Sequence, residues 1–506
     1  MIYKNENNQS GNQMKTMQFH GTEKTLKSKV LYSLQSIKSL LVFTFCFCCF
    51  FSIYSPLLPV PGKIALSQQS SIRIPASPTT IPTNLSHIVF GISGLAYTWD
   101  RQLHFNELWW RPGEMRGYVW LDKEPAADST WPETGPLFRV STSNSSHLGN
   151  GRHASAARIA RIVVDSYQAV LTDPNAAEVR WFVVGDDDTV FFPENLLAVL
   201  CKYDHGQMYY VGSMSESVEQ DLEFSYNMAF HGAGFAISYS AAMELARIFD
   251  GCLDRYSHHY SSDHLIQSCL SELGVPLTQE PGFHQIDLHE DAHGILAVHP
   301  VVPLVSLHNL NYIKPISPHY KTQHEAVKSL VDVSWLDPGR TLQQCICYER
   351  GSGFIWSVSV SWGYSVQLYP WAVAPKDLVK ALATFRSWRT RSLGPFTLDT
   401  RLVNIDWPCD LPLLFFLDHA ARDGVNWNWT TTEYSRDLKQ ENGCKSPSFS
   451  EAFKVKAVRV KAPQMAPSEW KRAPRRQCCK TVRIEGGEIL LVQINQCKPR
   501  QSSLSQ

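Results

Sequence analysis

The sequence has no excess of charge of either sign: 47 Lys and Arg stand against 47 Asp and Glu, so 506 residues carry a formal net charge of zero. That balance removes the electrostatic footprint of a nucleic-acid binder and gives no sign of a generally acidic partner. Paired C-x-x-C knuckles are also lacking. Cys345 with Cys347, and Cys478 with Cys479, have no second pair to complete a zinc site. The 13 cysteines divide by position instead. Cys46, Cys48 and Cys49 lie in an apolar segment, and the other ten, from Cys201 to Cys497, lie in sequence of globular composition. In a secretory setting an even set suggests disulfides, with a connectivity that spacing does not give.

One run lacks charge altogether: LLVFTFCFCCFFSIYSPLLPVP at 40–61, roughly the 20 residues that span a bilayer. Lys24, Lys27, Lys29 and Lys38 precede it and predict a cytosolic tail over 1–39 with the remainder lumenal. A cleaved signal peptide is the competing reading, with an unusually long basic region. Residues 62–85, rich in Ser, Pro, Thr and Gln, read as a stem. Asn84, Asn144 and Asn428 begin N-glycosylation triplets.

Ordered sequence begins near residue 86. Strand patterns at 87–92, 116–122 and 180–186 alternate with helical patterns at 99–110 and 153–171, the βαβ rhythm that predicts parallel strands between helices. The third strand, Trp181-Phe182-Val183-Val184-Gly185, runs into Asp186-Asp187-Asp188. Such an apolar run reads as buried on both faces. Its three carboxylates repel one another unless a cation compensates. Oxygen ligands suit Mg2+ or Mn2+, completed by substrate phosphates. In open α/β sheets ligands bind beyond the carboxyl ends of strands, where Asp122 and the acidic triplet both fall. His308, ending Val305-Ser306-Leu307, is a candidate third metal ligand, and His284 the other. Gly232-Ala233-Gly234 allows close approach to a ligand or simply a tight bend. Asp263 precedes a helix, where an N-cap is the simplest role.

In combination, the Trp-Phe strand running into Asp186-Asp187-Asp188, the Gly-rich bend, the downstream acid Asp263 and Val-Ser-Leu-His at 305–308 resemble glycosyltransferase family 31. The likeness is to its fringe-like and core 1 galactosyltransferase-like members, and most to the plant branch listed as a domain of unknown function. It runs from about 86 to 315. The resemblance implies an α/β fold of GT-A (Rossmann-like) type, with a mixed sheet flanked by helices over 86–322. It implies a type II Golgi membrane protein held by one transmembrane helix, its catalytic domain lumenal, moving a hexose or N-acetylhexosamine from a nucleotide sugar, expected to be a UDP-sugar, to a glycan or glycoprotein hydroxyl. On that reading Asp186 and Asp188 hold Mn2+ or Mg2+ with His308 or His284, and Asp263 is the general base. Asp122 meets the nucleoside, and Asp187, Gly232, Ala233 and Gly234 line the donor. Two positions depart from the family pattern: His231 stands where a glycine is usual, and Ser262 where a first acid is common.

Beyond 323 the βαβ rhythm stops, and 323–506 reads as a β-rich extension. Phe354, Trp356, Val358, Val360, Trp362, Tyr364, Val366 and Leu368 alternate with small or polar residues, a long strand or bent hairpin whose stripe is expected to pack rather than bind glycan. Residues 374–388 are expected to be helical, and Gly486-Gly487 to turn a hairpin. The rival to an enzyme is a catalytically silent lectin-like or scaffold protein on the same fold. A metal phosphohydrolase lacks the second acidic motif it needs.

Overall fold

The computed structural model describes residues 82–126, 131–141, 152–173, 178–402, 404, 407–424, 426–437, 444–502 and 504, all within one compact unit, Ile81–Gln506. The expected fold included a transmembrane helix, and this is corrected: no helix among the described residues is long and apolar enough to cross a membrane. Residues 40–61 lie outside the described residues, as do Cys46, Cys48, Cys49 and Asn144.

Seven strands make the first sheet: β1 (Ile88–Ser93), β2 (Arg116–Leu121), β3 (Leu137–Val140), β4 (Trp181–Asp186), β6 (Tyr210–Gly212), β7 (Phe235–Ser238) and β8 (Leu277–Gln279), in the order β3-β2-β1-β4-β7-β6-β8. All neighbours are parallel except β7, which runs against both β4 and β6. The sheet is therefore mixed. Alternation along β4 explains its unbroken apolar run: Trp181 and Val183 enter one core, and Phe182 and Val184 the other. The second core is covered by helices Arg152–Leu171, Tyr239–Arg255 and Ser262–Glu272, the last two joined by the Cys252–Cys269 disulfide. Gly91 lets the first of these lie close to β1, since a Cβ there would come 2.8 Å from Ile162 Cγ2.

A three-stranded sheet, β5 (Val190–Phe191), β11 (Ser306–Leu307) and β9 (Phe283–His284), carries the chain from the acidic turn to His308. The extension forms an eight-stranded sheet from Gln344–Gly351 to Cys478–Ile484. The expected aromatic stripe is a hairpin, Phe354–Ser361 against Ser365–Tyr369, turning at Gly363 (φ +77°). Trp356, Val358, Val360 and Trp362 are buried in a core that also contains Phe90 and Trp181 of the first sheet, so the stripe packs. Cys347–Cys479 links strands at opposite ends of this sheet order, which curls until they meet. Gly486-Gly487 does turn a hairpin, with Cys478–Ile484 antiparallel to Ile489–Asn495.

Residues 374–388 are not a helix. Only Pro375–Leu378 is helical, followed by strands β15 (Ala381–Leu382) and β16 (Phe385–Ser387). These pair with Thr400–Arg401 and with β10 (Leu288–Glu290). Pairing with distant strands overrides local helical preference here.

Candidate functional site

Because β7 runs against its neighbours, the carboxyl ends of β1, β2, β4 and β6 and the turn entering β7 all open on one edge. The acidic turn lies there and is tightly braced. Asp186 N donates to Thr189 Oγ1 (2.8 Å), and that hydroxyl donates to Gly232 O (2.7 Å). Asn106 Nδ2 donates to Asp187 O (2.7 Å), Trp109 Nε1 to Thr189 O (3.0 Å), and Ser93 Oγ to Asp186 Oδ1.

Asp186, Asp188 and His308 come together, with one ligand atom from each lying within 4.8 Å of the others. His308 Nε2 stands 3.1 Å from Asp188 Oδ1 and 3.7 Å from Asp186 Oδ2, while Nδ1 faces Gln285 O at 3.3 Å. The carbonyl orients the ring so that Nε2 faces the acids, the usual second contact of a ligating histidine. Burial opposes charge on the ring, but Asp188 and Asp186 push His308 up to about 9. Burial likewise acts to raise Asp188, yet the facing imidazole holds it below the ordinary carboxylate range. Asp187 has no such partner. Burial, then repulsion from Asp188 and Asp186, pushes it up to about 8. Two carboxylate oxygens and one imidazole nitrogen, with the ring's positive charge standing in for a cation, form a donor set that fits Mn2+ or Mg2+.

Gly232 makes this packing feasible: a Cβ there would lie 2.1 Å from His308 Cε1. Gly234 has φ +80° and faces Phe191. The polar groups of the bend are already engaged within the protein. Gly232 O accepts from Thr189, Ala233 N donates to Gln285 Oε1 (2.7 Å), and Gly234 N donates to His231 O (2.9 Å). The bend thus braces the acidic turn and His308, a job not foreseen for it.

His284, the other candidate, is not brought to this group. It pairs with Leu307 between parallel strands, so its side chain shares the face of Leu307 and not that of His308. Its Nδ1 lies 3.0 Å from Glu216 Oε1 instead. Asp122 is exposed beyond β2, its Oδ1 accepting from Ala96 N (2.8 Å).

Asp263 is not the N-cap, which is Ser261; it sits in the first turn of Ser262–Glu272. Oδ1 accepts from His231 N (3.0 Å) and from Ser262 Oγ (3.2 Å). Burial, then repulsion from Asp186, pushes its carboxyl up to about 7. His231 thereby links the two halves of the site: its backbone holds Asp263, and its Nε2, buried without a hydrogen-bond partner, lies 3.8 Å from Asp186 Oδ1.

Sequence reasoning missed Arg158. This buried guanidinium donates to Trp120 O (3.2 Å); burial lowers it from the ordinary arginine value, and Asp122, Asp186 and Asp187 partly offset that. An arginine amid the apolar positions of a core-facing helix was the available signal. Gln285, Asn106 and Thr189, which brace His308 and the acidic turn through backbone atoms, had none.

A family model described as "Protein of unknown function, DUF604" matches residues 220–479, just over half of the chain, and a "Fringe-like" model matches residues 107–307. The two overlap over residues 220–307, which include β7 and β8 of the first sheet. Among curated proteins, a Beta-1,3-glucosyltransferase of Homo sapiens is 31% identical over 108 residues, covering 21% of this chain and 21% of that protein. Its Mus musculus counterpart is 30% identical over 145 residues, 28% of this chain and 27% of that protein. The aligned regions span about a quarter of those relatives or less. Together the matches support a fringe-like glycosyltransferase.

Proposed function

The chain belongs to the DUF604 family, and on that premise we propose that it is a metal-dependent inverting glycosyltransferase. It would move a hexose or N-acetylhexosamine from a UDP-sugar to a hydroxyl of a glycan or glycoprotein. The observation that carries this reading is the pairing of the Asp186, Asp188 and His308 cluster with a separate carboxylate, Asp263, tied to the cluster through His231.

Asp186, Asp188 and His308 would hold Mn2+ or Mg2+. Such an ion neutralises the charge that develops on a departing nucleoside diphosphate. Asp263 takes the proton of the acceptor hydroxyl while that oxygen bonds to the anomeric carbon and the bond to the diphosphate breaks. A carboxyl raised toward neutrality is a stronger base than an ordinary aspartate, which suits that task. Arg158 places a buried positive charge near Asp122, Asp186 and Asp187, and Asp122 lies on the same edge for the nucleoside. Four disulfides, at 252–269, 347–479, 409–444 and 478–497, support an oxidising compartment, which we take to be the Golgi lumen.

The test is transfer or hydrolysis from a panel of UDP-sugars by the full chain, with and without manganese. Manganese-dependent turnover of one donor is expected. A protein that binds UDP and manganese but turns over no donor would instead be the silent lectin-like form, with His231 crowding the position next to Asp186.

A further inference from the structure

One segment of the extension, 385–392, packs against the elements that follow β6 and against β10. Strand β16 pairs with β10, Leu288 opposite Ser387 and His289 opposite Arg386. The chain then folds over helix Val218–Glu223, which follows β6 on the carboxyl edge. The Glu219 carboxylate accepts from the backbone of Arg389 and Thr390 and from the hydroxyls of Ser387 and Thr390. Arg389 Nε donates to Gln220 (2.7 Å), and its Nη1 lies 3.1 Å from Glu223.

These anchors fix two neighbouring side chains, Trp388 and Arg389. Trp388 turns toward the metal side. It stacks on His289 (4.8 Å, 4°) and meets the edge of Tyr312 (5.0 Å, 78°), which lies four residues beyond His308. Arg389 turns toward the base side. Its guanidinium lies 5.9 Å from the Phe224 ring, which in turn contacts Tyr260 (5.9 Å) and His264, the residue after Asp263 (6.2 Å). Tyr312 is 56% exposed and Tyr260 46%, so both ends of this aromatic line keep ring surface open to solvent.

Resting on the transferase reading, we propose that Trp388 and Tyr312, with Tyr260 at the far end, form the acceptor platform, and that its occupant is a neutral carbohydrate chain. Aromatic faces carry partial negative charge, and the C–H-lined face of a pyranose is apolar and weakly positive, so the two stack. Arg389 is already paired with Glu223, and Arg386 with Glu290, so the charges of these two arginines are compensated within the protein. An acceptor lying along the line would present a hydroxyl to Asp263 from the side of His264. The extension then has a role in acceptor choice besides packing.

The test uses the full chain with lactose, cellobiose and N-acetyllactosamine as probes in saturation-transfer NMR, and UDP with manganese in parallel calorimetry. At least one disaccharide should bind the wild type. Trp388→Ala and Tyr312→Ala should each weaken it by about tenfold, Trp388→Phe by much less, and UDP–manganese binding should be unchanged in all three. Should Trp388→Ala fail to fold, the exposed Tyr312 variant decides. Disaccharide binding that is unaltered in the alanine variants, or absent from a wild type that binds UDP and manganese, overturns the platform. A wild type that binds neither UDP nor manganese overturns the transferase reading, and the platform falls with it.

Discussion

Gly232→Ala is the sharpest probe of the candidate metal site, because it adds one methyl group and no change of charge. The new Cβ would come 2.1 Å from His308 Cε1, 2.3 Å from Nδ1 and 2.5 Å from Nε2. Carbon contacts settle near about 3.5 Å, so the imidazole must retreat by roughly 1 Å or more. It has little room: Gln285 O faces Nδ1, and Asp188 faces Nε2. A misplacement of about 1 Å in a positioned group costs of the order of 100-fold in rate, and overpacking a buried site costs about 1–3 kcal/mol of stability. Manganese affinity, read by calorimetry, and manganese-dependent transfer should therefore both fall by about two orders of magnitude. Thermal unfolding should shift only modestly. Gly424→Ala is the control, since a Cβ there meets nothing within 4 Å, and it should behave as wild type. If Gly232→Ala binds manganese and transfers sugar within about twofold of wild type, the assignment of His308 is wrong.

Asp263→Asn should reduce transfer by about 10²–10⁴-fold while leaving UDP–manganese binding intact; loss of nucleotide binding would point to a structural role. Since Asp263 must be unprotonated to accept a proton and stands near 7, the rate should rise with pH through that region. A bound cation, by relieving the repulsion from Asp186, should move the rise to lower pH; a profile flat from pH 5 to 8 would argue against this base. Asp221 is buried, accepts from Ser215 N (3.1 Å), and is pushed up to about 7 by burial. Its folded value exceeds its unfolded one, so its stabilising contribution is full below about pH 4 and is lost as pH rises through 7. Asp221→Asn should remove part of that pH dependence in thermal melts, by the order of 2 kcal/mol at pH 8. Residues 82–322 expressed alone should be insoluble. Ser361 Oγ bonds Leu296 O (2.9 Å), Tyr364 bonds Ile316 O (2.8 Å), and Trp356 and Trp362 share the core of the first sheet. A soluble, active fragment would refute that dependence.

The acidic turn of the candidate site and the rhythm that carries the first sheet were legible because both are local. An apolar run ending in Asp186-Asp187-Asp188 is a buried strand with a charged tip whatever surrounds it, and a Gly-Gly turn between apolar stretches makes a hairpin on its own terms. Side-chain alternation likewise exposed the Phe354–Ser361 and Ser365–Tyr369 strands. What sequence alone left undecided depends on register between distant segments. Whether His284 or His308 reaches the acids turns on a one-residue offset between β9 and β11, which reverses the face a side chain occupies. The job of Gly232 depends on a ring 76 positions away. Residues 374–388 have helical propensity, and pairing with β10 and Thr400–Arg401 makes strands of 381–382 and 385–387, because ladder hydrogen bonds and burial outweigh differences of a few tenths of a kcal/mol per residue. Gln285 and the segment 385–392 carry no local signature, since each acts through partners that only the tertiary structure brings near.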